Sequence, residues 1–368
     1  STCTHTSQGM ADIFIAKLDS QGDATWVNTA GGTGLDAPIG LITELDNGNY
    51  AISGYIDGTS TAQFGSTTLS PSNVRALLVA VFDDSGNWVW ANEYSGAHST
   101  SDVRGYDITS DSSHIYVTGD YVRSMEINGV VHNANIANHP GAKDLFVMKL
   151  DYSGNVAWSQ FPTSSGPSHD GGRGISVDSN GDVYISGRHS DGAQFGSTTL
   201  VNSPTPSNTV YNSYEGLIAK LDSSGNWLWA VSHFGFHLEI VVDIEVSPSG
   251  NFIAATQITN QVSFGSTNGV ISGPFSNGAN HMVALTNYNS DGELIWYDVM
   301  DGHDNYPVEL SIAPGGEVFL CGWGFNVGAI DSVNSNSLFD SQWQGQTHWS
   351  LDVWVAKYQQ TGELDWVV

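Results

Sequence analysis

Basic residues are scarce in this chain. It has 10 Lys and Arg residues against 38 Asp and Glu residues, a formal net charge of −28 over 368 residues. Nucleic acid and acidic membrane surfaces are bound through clustered cations, so we expect neither as a partner. No apolar run approaches the roughly 18–20 residues that span a bilayer, and we expect no membrane insertion.

Cysteine is nearly absent as well. The two cysteines, Cys3 and Cys321, exclude a disulfide framework and allow at most one long-range bridge. Cys321 lies in the apolar run Val-Phe-Leu-Cys-Gly, where a small buried side chain is the simpler interpretation. A bridge to Cys3 that ties the first residues to the last repeat is the alternative. The scarcity of Lys and the wealth of Ser, Thr, Asn and Gly suit an extracellular or cell-surface protein.

The common catalytic motifs are missing too. The sequence has no Gly-x-Ser-x-Gly, no His-Glu-x-x-His and no phosphate loop followed by a helix. Gly-Gly-x-Gly occurs at 31–34 and 171–174, but no helical pattern follows either run. Sites that are defined by geometry leave no spacing signature, so an enzyme stays an alternative.

What the chain does have is one stretch repeated from end to end. Asp144–Trp158 reads Asp-Leu-Phe-Val-Met-Lys-Leu-Asp-Tyr-Ser-Gly-Asn-Val-Ala-Trp. Its copies are 12–26, 76–90, 215–229, 282–296 and 352–366, and in all six a Gly precedes the Trp by four residues. The Trp residues are 64 to 71 positions apart, which suits a unit of four or more short strands.

The strand patterns predict an all-β fold. Residues 175–177 and 182–187 read as a hairpin around Asp178–Gly181, and 194–200 is echoed by 63–69 and 261–267. Four strands in each repeat predict a β-propeller of four-stranded blades in a single domain, 1–368. The half blade is 10–30, and the full blades are about 36–92, 102–160, 170–231, 239–298 and 304–368.

Closure of the ring is the open point. Six Trp hairpins are present but only five inner pairs, because residues 1–10 are too few to supply the first. We expect six blades, one of them incomplete; the alternative is five blades plus an extra N-terminal hairpin that packs elsewhere. The innermost strands are predicted at 39–43, 105–109, 174–178, 241–245 and 308–312, with the Trp strands outermost.

The repeated sequence pattern resembles that of a known family. The pattern Asp-x-Phe-x-Ala-Lys-Leu-Asp-x-x-Gly-Asn-x-x-Trp, then Gly-Ile-x-Val-Asp and Gly-x-Val-Tyr-Ile-Ser-Gly, resembles the bacterial β-propeller repeats called SBBP repeats. The resemblance covers essentially the whole chain and implies a secreted or surface-exposed bacterial protein. It brings no catalytic residues. Val81 and Asn287 replace the Lys in the second and fifth hairpins.

The candidate site lies in the loops between each Trp strand and the next inner strand. In a propeller these loops open on one face near the axis, where they would form a polar rim. The acids of this rim are Asp36, Asp102, Asp170, Glu239 and Asp304, and its histidines are His98, His169, His233, His237 and His303. They either cap backbone amides or bind a cation, a sugar or a basic group of a partner. Acids gathered there without cations should raise one another's pKa.

A second pattern suits calcium more weakly. Asp178, Asn180 and Asp182 place oxygen atoms at alternate positions, but the later bidentate acid of a calcium loop is missing. The simpler interpretation is a hairpin turn. No cofactor is required by the sequence, and calcium or another divalent cation is the one these patterns would suit.

Three functions follow as hypotheses. The first is a non-catalytic extracellular β-propeller that binds a protein or glycan at its loop face, with Phe234, Phe236, Trp323 and Trp343 as stacking surfaces. The second is a metal-dependent or acid–base enzyme, a hydrolase or lyase, that uses the His/Asp rim. The third is a structural subunit that assembles through the unpaired N-terminal hairpin.

Overall fold

A computed structural model describes residues 6–135, 141–164, 169–202, 214–235, 239–259, 261–275, 281–301, 305–325, 331–332 and 351–368. In these ranges the chain forms β-strands and turns without any helix, so the all-β prediction is confirmed. Runs of β-branched and aromatic residues between Gly, Asn and Asp turns favour this structure. Nothing in the same ranges is a helix long and apolar enough to cross a membrane.

The chain separates into two compact units, residues 1–163 and residues 164–368. The strands of the first unit are β1 (Ile13–Leu18), β2 (Ala24–Gly32), β3 (Ile42–Glu44), β4 (Tyr50–Asp57), β5 (Ala62–Phe64), β6 (Thr67–Leu69), β7 (Arg75–Phe82), β8 (Trp88–Tyr94), β9 (Asp102–Ser110), β10 (His114–Val122), β11 (Ser124–Ile127), β12 (Val130–Asn133), β13 (Lys143–Asp151) and β14 (Val156–Gln160).

The first unit is built from one hairpin and two four-stranded antiparallel sheets. The hairpin is β1–β2, and the sheets run β3-β4-β7-β8 and β9-β10-β13-β14. One parallel bridge, from Arg75 to Asp102, joins the two sheets. Two small hairpins are inserted between the second and third strands of these sheets: β5–β6 lies between β4 and β7, and β11–β12 lies between β10 and β13. Strand β5 also pairs with β2 of the preceding repeat.

The strands of the second unit are β15 (Gly171–Val177), β16 (Val183–His189), β17 (Ala193–Phe195), β18 (Thr198–Leu200), β19 (Glu215–Leu221), β20 (Trp227–Gly235), β21 (Ile240–Val246), β22 (Phe252–Thr259), β23 (Gln261–Ser266), β24 (Gly269–Phe275), β25 (His281–Tyr288), β26 (Leu294–Asp301), β27 (Asn305–Ile312), β28 (Val318–Phe325), β29 (Asp331–Ser332), β30 (Leu351–Tyr358) and β31 (Leu364–Val367). They form three four-stranded sheets, β15-β16-β19-β20, β21-β22-β25-β26 and β27-β28-β30-β31. The inserted strands β23 and β29 pair with the Trp strands β20 and β26 of the preceding repeats.

One register recurs in all six Trp hairpins. Each repeated Trp pairs with the residue at the Lys position, and the register shifts directly after that pair. The pairs are Lys17–Trp26, Val81–Trp90, Lys149–Trp158, Lys220–Trp229, Asn287–Trp296 and Lys357–Trp366. The copy at 12–26 therefore forms a hairpin with the same register as the other five copies.

The repeated Trp fixes one repeat to the next. Trp26 Nε1 donates a hydrogen bond to the backbone oxygen of Asp84 at 3.0 Å, in the turn of the following repeat. A Cβ atom added at Gly86 would lie 2.7 Å from the Trp26 ring, and Gly86 has a φ of +83°. The glycine four residues before each Trp therefore serves a tight turn and also leaves room for an indole. Gly292 makes the same close contact with Trp229, and Gly362 makes it with Trp296.

Candidate functional site

Asp36 of the predicted rim caps backbone amides. Its buried carboxylate accepts hydrogen bonds from the Gly32 amide at 2.7 Å and the Asp57 amide at 2.9 Å. Burial raises the pKa of Asp36, the two amides oppose that shift, and the nearby carboxylates of Asp12 and Asp57 add to it. Neither of these carboxylates belongs to the predicted rim. Asp36 thus joins the loop after β2 to the end of β4.

Asp102 lies among cations. Its carboxylate accepts hydrogen bonds from Arg75 Nη1 at 2.9 Å and from Arg104 Nη2 at 2.7 Å. Both guanidinium groups stack near the Tyr55 ring, at 5.0 and 5.9 Å from its centroid. Burial raises the pKa of Asp102, but the hydrogen bond and charge of Arg104 and the charge of Arg75 outweigh it and lower the pKa. This shift is opposite in sign to the mutual repulsion expected of the rim. His98, in the same loop, is exposed.

Asp170 is the corresponding cap in the second unit. The carboxylate is buried and accepts a hydrogen bond from the Ser190 amide, directly after β16. Burial raises its pKa to about 6, and the charge of Arg188 acts in the opposite direction. His169, its neighbour in the chain, is half-buried.

His233 and Glu239 are both fully buried. His233 belongs to strand β20, and its ring nitrogens lie 2.9 Å from Thr256 Oγ1 and 2.7 Å from Tyr288 Oη. Burial lowers the pKa of His233 to about 3, so the ring is neutral and holds neighbouring strands together. A second buried histidine, His189, was not singled out from the sequence; burial lowers its pKa to about 4.

Three residues predicted for the rim lie outside the described residues: His237, His303 and Asp304. The same is true of the aromatic candidates Phe236 and Trp343 and of Cys3.

Among the aromatic candidates in the described ranges, Phe234 is half-buried and Trp323 is exposed. The Trp323 ring stacks on Tyr306 with centroids 4.2 Å apart, and Tyr306 Oη lies 2.9 Å from His281 Nδ1. Cys321 is a free, partly exposed thiol.

The turn considered for calcium is occupied by protein groups. Asp178 Oδ1 accepts hydrogen bonds from the amides of Asn180 at 2.8 Å and Asp182 at 3.0 Å. The Lys220 ammonium lies 2.9 Å from Asp182 Oδ2 and 4.8 Å from the centroid of the Tyr184 ring. Across the described ranges, no group of three or more His, Cys, Asp and Glu side chains could hold a metal ion.

A trio of carboxylates was missed in the sequence. It consists of Asp243, Glu245 and Glu309, on β21 and β27. Burial is the largest cause of the shift in each pKa, and charge repulsion within the trio adds to it for both glutamates: the pKa of Asp243 is raised, that of Glu245 to about 7 and that of Glu309 to about 8. Asp243 directly precedes Ile244, and Glu309 directly precedes Leu310; both apolar residues align with Ile175. An acid at the same position in two repeats was the signal in the sequence that could have identified the trio.

The trio is held by hydrogen bonds within the second unit. Leu310 donates its amide hydrogen to Asp243 Oδ2 at 2.7 Å, and Ser176 Oγ donates to Glu245 Oε2 at 3.0 Å. These bonds tie β15, β21 and β27 together. The trio is thus a pH-sensitive part of the packing between three repeats.

A polar cavity of about 590 Å³ lies in the first unit. Four elements form it: the Trp strand β8, the end of β6, the tip of the β11–β12 hairpin, and the turn before β14 with the first residue of that strand. Its lining residues are Leu69, Asn92, Glu93, Tyr94, Asn128, Gly154, Asn155 and Val156. The cavity therefore exists only because inserted hairpins and neighbouring repeats meet beside one Trp strand.

The chemistry of this cavity is that of amides and one carboxyl. Asn128 and Asn155 are exposed, and each carboxamide can both donate and accept hydrogen bonds. Glu93 Oε2 is buried and accepts no hydrogen bond from the described residues. Burial raises the pKa of Glu93, a shift that the Ser70 amide partly opposes. No Lys or Arg lines the cavity, so its walls suit hydroxyl and amide groups better than anions.

No protein-family model matches this chain, and no curated protein matches it significantly.

Proposed function

We propose that the chain is a non-catalytic β-propeller binding module, secreted or displayed on a bacterial surface, that binds a neutral, hydroxyl-rich glycan. The observation that carries this proposal is the polar cavity at Glu93, about 590 Å³ in volume and lined by amide side chains. The exposed carboxamides of Asn128 and Asn155 line this cavity, and each can both donate hydrogen bonds to sugar hydroxyls and accept them.

The propeller is supported by the repeats. Five four-stranded antiparallel meanders follow one half repeat. The repeated Trp of one repeat lies against the turn glycine of the next, as Trp26 does at Gly86, Trp229 at Gly292 and Trp296 at Gly362. A chain of such units buries both faces of every sheet only when each has two neighbours. A six-bladed ring of the SBBP type with one incomplete blade is the architecture we propose.

The test is binding to a panel of neutral polysaccharides, glucan, mannan, galactan and chitin oligomers, by affinity electrophoresis. We expect at least one to retard the chain. Asn155→Ala should weaken that retardation about 5- to 100-fold, because it removes a hydrogen-bonding wall and leaves ligand groups unpaired.

Asn226→Ala is the matched control for this variant. Asn155 bonds Asp151 Oδ2 at 2.8 Å and Asn226 bonds Asp222 Oδ2 at 2.9 Å, so both variants lose the same turn contact and only Asn155 lines the cavity. Equal weakening by both variants, or no retardation by any polysaccharide, would contradict the proposal.

A further inference from the structure

Strand β1 has one paired edge and one free edge. It pairs with β2, and no other strand in the described ranges pairs with it. In the five complete repeats, the corresponding strands β7, β13, β19, β25 and β30 also pair on their other side, with the second strand of the repeat. The free edge of β1 therefore presents unpaired amide and carbonyl groups, the arrangement that accepts an added strand.

The side chains of β1 show which strand is missing. Phe14 lies three residues before the Lys of its hairpin and is 68% exposed, whereas Phe146 and Trp354, at the equivalent positions, are 0% exposed. Those two residues pair with Gly119 and Gly322 of the neighbouring strand. A Cβ atom at these glycines would lie 2.8 Å from Phe146 and 2.3 Å from Trp354. A glycine thus lies opposite the large ring in both of these repeats.

The space beside β1 is an apolar groove of about 550 Å³. Its walls include Phe14 on one side and Leu41 and Ile42 of the next repeat on the other. Ile42 is 57% exposed, although the residues that align with it, Ile175 and Ile244, are buried. A further strand pair in the groove would cover both walls and continue the packing of inner strands seen between complete repeats.

The charge of Lys17 indicates the chemistry of the strand pair that would fill the groove. Lys220, the equivalent of Lys17, contacts Asp182 and the Tyr184 ring, and both come from the inner hairpin β15–β16. Lys17 pairs with Asp84 of the next repeat instead. A hairpin with an acidic turn followed by Tyr would therefore be complementary in charge to Lys17.

We propose that the free edge of β1 and its groove bind an antiparallel β-hairpin of the inner-strand type, supplied by a second, different polypeptide. Its chemistry is an Asp-x-x-Gly-Asp turn followed by Val-Tyr-Ile-Ser-Gly. In the register of the complete repeats, the Tyr lies opposite Lys17 and the Gly opposite Phe14. This site is separate from the polar cavity and does not depend on it.

A synthetic hairpin tests the proposal. The probe is a fluorescent peptide with the sequence of residues 169–190, titrated with the whole chain and followed by fluorescence anisotropy. We expect saturable binding, and a loss of about tenfold or more with Phe14→Asp. Val89→Asp, which changes another exposed apolar strand residue of the same unit, is the control and should bind as the unchanged chain does.

The peptide carries its own control. Replacing the Asp and Tyr at the positions of Asp182 and Tyr184 by Lys and Ala should weaken binding by about tenfold or more, because the two contacts that Lys220 makes with its hairpin would then be absent at Lys17. Three results would overturn the proposal: no saturable binding, equal binding of the altered peptide, or equal binding by the Phe14→Asp chain. A dimer of the chain alone that Phe14→Asp disperses would also overturn it, because a second copy would then fill the groove.

Discussion

At the scale of single residues, the carboxylate trio Asp243, Glu245 and Glu309 makes stability depend on pH. Burial raises all three pKa values, and charge repulsion within the trio adds to the shift of both glutamates, so the folded chain favours the protonated forms. The stabilising contribution is complete below the ordinary values near pH 4 and is lost as the pH rises through about 7 and 8. Acid stabilises this part of the molecule, in contrast to carboxylates held in ion pairs.

Glu309→Gln should therefore raise the melting temperature at about pH 8.5 by several degrees and change it little at about pH 5. The amide keeps the shape of the side chain and removes the charge that burial and Asp243 disfavour. Differential scanning calorimetry at the two pH values measures the effect. Glu363→Gln, at an exposed site of the same unit, is the control. Parallel pH dependence in the unchanged chain and Glu309→Gln would contradict this account.

At the scale of elements, the contact between a Trp strand and the next turn can be isolated with two glycines. Gly86 and Gly22 have φ values of +83° and +85° in equivalent turns, but a Cβ atom would touch Trp26 only at Gly86 and would meet nothing within 4 Å at Gly22. Substitution by Ala costs about 1–2 kcal/mol of backbone strain at both sites. Gly86→Ala should cost about 1–3 kcal/mol more, because it displaces the indole.

Urea unfolding of the two variants measures this difference in free energy. Equal destabilisation by the two substitutions would mean that the Trp does not fix one repeat to the next.

The elements also show what the sequence could predict. Equal Gly-to-Trp spacing predicted the six hairpins, including the one from Ile13 to Gly32, because turn chemistry and strand register are local. Pairing of β5 with β2 and of β23 with β20 joins segments of different repeats, and no local pattern encodes such a partner. The contacts of the repeated Lys residues are also not encoded locally: Lys149 and Lys220 lie over Tyr116 and Tyr184.

The candidate site was less predictable than the hairpins, because it too depends on contacts between residues that are distant in the sequence. Asp36 and Asp170 were recognised as acids in loops, but whether such an acid caps an amide or meets a ligand depends on neighbours distant in sequence. Asp102 is surrounded by two of the few arginines, which composition alone could not place. The cavity at Glu93 arises where inserted hairpins and turns meet. Gly154 and Asn155 belong to the repeated turn, and that turn by itself predicts no ligand site.

At the scale of the whole molecule, the proposed ring predicts cooperative unfolding. If each repeat needs two neighbours to bury its faces, the chain should melt in one transition whose calorimetric and van't Hoff enthalpies agree. The two compact units, residues 1–163 and 164–368, offer the natural alternative of two separate transitions. Scanning calorimetry of the full chain distinguishes these outcomes, and two resolved transitions would contradict a closed ring.

The central claim is that the chain binds a neutral glycan at the polar cavity, and hydrogen exchange measured by mass spectrometry tests it most directly. The probe is a mixture of neutral gluco-, manno- and galacto-oligosaccharides, added in excess to the full chain. We predict slower exchange in peptides that cover 88–94, 126–131 and 153–157, which surround Glu93, and unchanged exchange in the matching turn at 222–226. Protection confined to other segments, or no protection anywhere, would contradict the claim.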